Sequence, residues 1–142
     1  IGNYNTKFGA YLKNKYRNHK NIRFLGAIYN LEELNNLRYF SFLYFHGHSV
    51  GGTNPSLLEA MGSGALIVAN NNEFNKGVLK ENALYFSDAN DVKELLLSTR
   101  KSDYLRFIEN NYQAVKTEFN WKQINEQYLE LFERCLNQKQ RK

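Results

Sequence analysis

Apolar residues recur along the 142-residue chain at two different spacings, helical and continuous, and segments of the two kinds alternate. Phe8, Tyr11, Leu12 and Tyr16 fall on one helical face and predict a helix over residues 7–18. Residues 21–25 form a short apolar run that ends at Gly26 and reads as a strand. Leu31, Leu34, Leu37 and Phe40 return to helical intervals. Asn30 is placed to cap that helix, and Glu32 and Glu33 lie in its first turn, where the dipole favours negative charge. Residues 42–46 are continuously apolar, as in a parallel strand covered on both faces. Asn54-Pro55 opens a short helix around Leu57, because proline is preset for the first helical position. A strand over 65–69, a polar loop over 70–75, a strand over 83–86 and a helix over 88–100 follow. Two helices, 103–118 and 121–136, close the chain, separated at the capping residue Asn120. Trp121, Ile124, Tyr128, Leu131 and Phe132 form a stripe whose default role is packing. Strands alternating with helices predict an α/β protein with a doubly wound parallel sheet and right-handed crossovers. Such sheets bind ligands beyond the carboxyl ends of their strands, where the loops after Ile1, Leu25, His46 and Ala69 would fall.

Composition bounds this reading. With 42% hydrophobic and 15% aromatic residues the chain can bury one core, expected as a single domain over 1–136 with a basic tail at 137–142. The net charge of +5 comes without an arginine–aromatic stripe, so no nucleic-acid partner is expected. Attraction to a nucleotide, or peripheral contact with an anionic membrane, explains the sign equally well. Cys135 is the sole cysteine, which excludes an internal disulfide and a cysteine zinc site and fits a reducing compartment. No apolar run approaches the roughly 20 residues that span a bilayer, and no signal-peptide pattern is seen. A cytoplasmic location is expected, with peripheral attachment at an inner membrane face left open. Ile1-Gly2-Asn3 resembles the end of a buried strand and there is no initiator Met, so the chain is read as a piece of a longer protein.

The chemistry concentrates between Phe45 and Val68. Gly51 and Gly52 let backbone amides approach a ligand, and the free first-turn amides after Asn54 favour an anion, so a phosphate would be stabilised there. Glu59 shares a face with Pro55 and Ser56, while Leu57, Leu58 and Met61 cover the opposite side. A carboxylate beyond phosphate-binding amides suits a sugar hydroxyl. The fingerprint G-x-G-x-x-G and the Walker lysine are both absent from this loop, which removes support from nicotinamide and P-loop chemistry. His46 and His48 can share one face of a strand end, yet no third ligand is evident, so no metal is expected. His48 is read as a hydrogen-bonding group near the ligand and His46 as a satisfied core histidine. Asn70, Asn71, Asn72 and Asn75 either contact a ligand or serve the backbone of a turn.

Taken together, NIRFLG at 21–26, the helix at 31–40, LLEAMGSGALIV at 57–68 and the closing helix at 121–132 resemble the C-terminal, nucleotide-sugar-binding domain of a glycosyltransferase family 4 enzyme. GNYNTKFGAYL at 2–12, with HGHSVGGTNPSLLEAM at 46–61, further resembles bacterial rhamnosyltransferase-like members. The resemblance implies the Rossmann-like C-terminal half of a GT-B fold, lacking its first strand and helix. It implies a retaining, hexosyltransferase-type enzyme that moves a sugar, rhamnose in that subgroup, from a nucleotide diphosphate sugar to a glycan or lipid-linked acceptor in surface polysaccharide synthesis. No cofactor or metal is implied.

Carried over residue by residue, Glu59 matches the glutamate that binds the ribose hydroxyls. Gly52, Thr53 and Asn54 match the segment that meets the diphosphate or donor sugar, and Gly26, Ala27 and Ile28 match the base-binding loop. Gly51 stands where the family has a first glutamate, so either His48 or backbone amides take over that contact or the donor sugar differs from the usual ones. The family's catalytic basic pair has no counterpart after Ile1, and an N-terminal domain of the same chain would supply the acceptor site. This piece alone is then expected to bind rather than catalyse. The alternatives are a non-catalytic nucleotide- or sugar-binding module and a purely structural interaction domain.

Overall fold

The computed structural model describes residues 1–139, in two compact units, Ile1–Leu37 and a second that begins at Arg38. In the first unit, helix α1 (Lys7–Tyr16) starts where the Thr6 hydroxyl accepts from the Gly9 amide. Residues 21–25 form no strand: Asn21 belongs to a turn and 22–25 pair in no ladder. The Gly2 N–H bonds the Gly26 carbonyl at 2.8 Å just beyond them, and one such bond is too few to register a strand. Tyr4 and Phe24 meet edge to face at 6.3 Å, and the Lys13 ammonium lies over the Tyr4 ring. Helix α2 (Leu31–Phe40) begins as its sequence predicts, with the Asn30 side chain accepting from the Glu33 amide.

The second unit is built on a parallel sheet in the order β1 (Tyr44–His46), β2 (Ile67–Asn70), β3 (Leu84–Phe86). His46 lies opposite Ala69, and Asn70 opposite Phe86, so all three strands end at one edge. Helix α3 (Pro55–Gly62) joins β1 to β2, and α4 (Glu73–Leu79) joins β2 to β3. Helix α5 (Ala89–Ser98), a single 3₁₀ turn (Lys101–Tyr104), α6 (Leu105–Thr117) and α7 (Trp121–Lys139) follow. The expected α/β class therefore holds, as a three-stranded parallel sheet with seven α-helices among the described residues. Leu57, Ala60 and Met61 of α3, residues 65–69 through β2, and Val78 and Leu79 of α4 make the core, with β2 at its centre.

Four further expectations change. The strand at 42–46 shortens to β1, and Phe42 and Phe45 stay exposed because β1 is an edge strand, not a central one. The polar loop at 70–75 shrinks, since α4 begins within it, and Asn72 caps that helix by accepting from the Asn75 amide. The Trp121 stripe is largely unpacked: Trp121, Tyr128, Leu131 and Phe132 are exposed, while Ile124 is half-buried. Of the tail expected at 137–142, α7 takes up the residues to Lys139, and Gln140, Arg141 and Lys142 lie outside the described residues.

Candidate functional site

The loop from Gly47 to Asn54 leaves the carboxyl end of β1 and turns into α3. Gly51 adopts φ +119°, a backbone conformation that side chains with a Cβ rarely enter. A Cβ built at Gly47, Gly51 or Gly52 would meet no atom within 4 Å, so these glycines border open space rather than their own core. The Asn54 side chain accepts from the Ser56 amide at 3.0 Å and the Ser56 hydroxyl at 2.7 Å, which aligns the first turn behind Pro55. This is the N-terminal geometry predicted for an anion site. The Asn54 carboxamide oxygen is thereby engaged in capping.

Two other loops hold this one in place. The His48 carbonyl accepts from Asn72 Nδ2 at 3.0 Å and from Asn75 Nδ2 at 3.1 Å. Asn75, buried to 5% exposure, donates also to the Asn70 carbonyl, and Asn72 to Asn70 Oδ1. Asn71 continues the link, its amide bonding the Phe86 carbonyl and its side chain the Ser87 hydroxyl. These asparagines, open to either role in the sequence, serve the backbone: they brace the glycine loop against the ends of β2 and β3.

His46 and His48 share a face, as their spacing predicts, with rings stacked at 4.6 Å and 25°. His48 is exposed. His46 is 2% exposed, and its Nε2 has no hydrogen-bond partner, so it is a core histidine but not a satisfied one. Burial, and secondarily the neighbouring His48, holds its pKa below the ordinary 6.5. No group of three or more His, Cys, Asp and Glu side chains is arranged to hold a metal ion among the described residues.

Glu59 projects from α3 opposite the buried Leu57 and Met61, as its spacing predicts. Its environment was not predicted. Glu59 Oε2 accepts from Arg38 Nη2 at 2.7 Å, with Arg38 6% exposed and the Glu59 side chain 45% exposed. The carboxylate is thus clamped on its inner side and open on its outer side. Arg38 is the one buried residue of α2, while Leu31, Leu37 and Phe40 of the apolar stripe are exposed. The available signal was an arginine one turn beyond Leu34, on the face that turns inward.

Gly26, Ala27 and Ile28 belong to the first unit, where Gly26 has φ +75° and borders a cavity of about 360 Å³ shared with Thr6, Arg23 and Phe24. Glu59, Gly51, Gly52, Thr53, Asn54 and His48 belong to the second unit. Within it, α3 carries Glu59 directly behind the loop that holds the other five.

No known family model matches the chain. Over 107 residues the chain is 32% identical to an uncharacterized glycosyltransferase of Methanocaldococcus jannaschii. That match covers 67% of this chain and 26% of the relative, so the chain spans about a quarter of the length of the protein it matches.

Proposed function

We propose that this chain is the donor-binding part of a glycosyltransferase of family 4 with a GT-B fold. The observation that carries the reading is the glycine loop at the carboxyl edge of a parallel sheet, open in front and backed by the capped start of α3. Similarity to a glycosyltransferase supports the same class. In this reading the diphosphate lies against the first amides of α3 and the ribose hydroxyls bond Glu59, while Gly26, Ala27 and Ile28 of the first unit are the base-binding loop that the family resemblance implies. Gly52, Thr53 and His48 face the transferred sugar, rhamnose in the rhamnosyltransferase-like version. The acceptor is a glycan or lipid-linked glycan of a bacterial surface polysaccharide, and transfer retains the anomeric configuration. An N-terminal domain would supply the acceptor site and the basic pair that stabilises the departing diphosphate. The work is done in the cytoplasm, with the net charge of +5 favouring a site beside an anionic membrane. No helix among the described residues is long and apolar enough to cross a membrane.

Calorimetric titration with nucleoside diphosphates and their sugar esters tests the reading. Binding of a ribonucleoside diphosphate that weakens in Glu59→Gln supports it, and no binding by any base sinks it. Glutamine is the informative substitution because its carboxamide oxygen can still accept from Arg38, whereas alanine removes that acceptor altogether. A second reading has an observation of its own: Glu59 neutralises a buried guanidinium, a role that packing alone would require. A non-catalytic module built on this loop then predicts nucleotide affinity indifferent to Glu59→Gln and no sugar transfer by the full-length protein.

A further inference from the structure

Arg38 is buried where a helix stripe would place an apolar side chain, and a charge is seldom buried without a specific partner. Its surroundings define its position. Its guanidinium donates to Glu59 Oε2 at 2.7 Å and lies 6.0 Å from the centre of the Tyr44 ring. The Tyr44 hydroxyl reaches the Ser56 carbonyl in the first turn of α3 at 3.5 Å. The helix end that carries Arg38 is itself anchored. The Ser41 hydroxyl donates to the Arg38 carbonyl at 2.6 Å, and Lys101 Nζ bridges the Tyr39 and Ser41 carbonyls at 2.9 and 2.7 Å. The guanidinium therefore approaches Glu59 from a fixed origin.

A free glutamate on a solvated helix face samples many rotamers, and ordering it on a ligand costs conformational entropy. Glu59 is held before any ligand arrives, through one oxygen, with nearly half of its side chain still exposed. A carboxylate fixed in this way presents an acceptor of defined direction to a hydroxyl. The pairing is charge-assisted, which makes the hydrogen bond that fixes the carboxylate a strong one. We infer that Arg38 is a positioning residue for a vicinal diol: it orients the Glu59 carboxylate so that its exposed edge receives the two hydroxyls of a ribose. The inference rests on the ribose reading of Glu59 proposed above.

The test compares the ribonucleoside diphosphates of uracil, cytosine, adenine and guanine with their 2′,3′-dideoxy counterparts, titrated calorimetrically into the full chain. The measured quantity is the ratio of the two affinities within one protein, which a general loss of folded material does not move. The wild type should prefer the ribose form by about tenfold or more. Glu59→Gln and Arg38→Met should each bring the ratio to about threefold or less while affinity for the dideoxy form is retained. Arg38→Lys keeps the buried charge, so it decides the matter if the methionine variant does not fold. Its ammonium is a point charge without a planar fork, and the ratio should fall at least about threefold below wild type. A wild-type ratio in whichever Arg38 variant folds, with the ratio lost in Glu59→Gln, overturns the positioning role and leaves the ribose reading standing. A wild type indifferent to the hydroxyls, or binding no nucleotide, overturns the ribose reading and the inference with it.

Discussion

Replacing Glu59 with alanine should destabilise the second unit far more than an exposed helix residue normally does. Breaking a fully buried ion pair from one side costs about 3–5 kcal/mol, because the remaining charge stays desolvated. Here Arg38 is 6% exposed but Glu59 is 45% exposed, so the desolvation lies at the guanidinium end. Alanine removes the Glu59 carboxylate from that buried end, and we expect a loss of about 2–3 kcal/mol, toward the lower edge of the buried-pair range. At this chain length about 3 °C of Tm accompanies each kcal/mol, so the midpoint should fall by roughly 6–9 °C. Removing both charges in Arg38→Met/Glu59→Gln should recover most of the loss, to within about 1 kcal/mol of wild type, since an apolar replacement relieves the desolvation. Urea and thermal unfolding followed by circular dichroism measure all three proteins. Alanine within about 0.5 kcal/mol of wild type, the range of an ordinary surface pair, would refute the reasoning.

Asn75→Ala removes two hydrogen bonds to the His48 and Asn70 carbonyls and should cost about 2 kcal/mol, with faster amide exchange across residues 47–54. Unchanged exchange there would show that the loop is braced elsewhere. His46 has a folded-state pKa below 6.5, so the unfolded chain binds the extra proton; its stabilising contribution is complete above 6.5 and declines as pH falls below that value. Melting curves from about pH 8 down to about pH 5 should show a shallower decline in His46→Gln than in wild type, and parallel curves would rule this source out. Lys80 sits at φ 51° and ψ −128°, a conformation suited to glycine, and its ammonium makes an exposed pair with Glu118 at 2.8 Å. Lys80→Gly should therefore stabilise by about 1 kcal/mol, relief of about 1–3 kcal/mol of backbone strain outweighing a pair worth about 0–1 kcal/mol. A lower urea midpoint in that variant would contradict this ordering.

Much of the architecture was legible because its signals are local. Asn30, Asn54 and Asn120 each cap the helix that follows them, as a short polar side chain before an apolar period requires. The apolar run at 65–69 carries its burial in its composition, and every residue of it is fully buried. Glu59 could be placed opposite Leu57 and Met61 from helical periodicity alone. Where a local signal was weak, the reading failed. Helix α4 is short and contains Asn75 and Gly77, poor helix formers, so it read as a polar loop. The stripe on α7 promised burial, but a periodic apolar face states only that a partner would be favourable, not that one is present.

The sequence by itself determined the alternation of strands and helices, the capped start of α3 behind a glycine loop, and the face on which Glu59 stands. All of these follow from neighbours within a turn or two. Tertiary structure alone decided what Glu59 touches, what the loop asparagines do and that His46 keeps an unpartnered nitrogen. Arg38 and Glu59 are 21 residues apart, and Asn75 and His48 are 27 apart. Such pairs meet only after the sheet has fixed its register and the helices have closed over β2. The physical reason is that a side chain's own spacing selects its face, whereas its charge partner is selected by whichever element packs against that face.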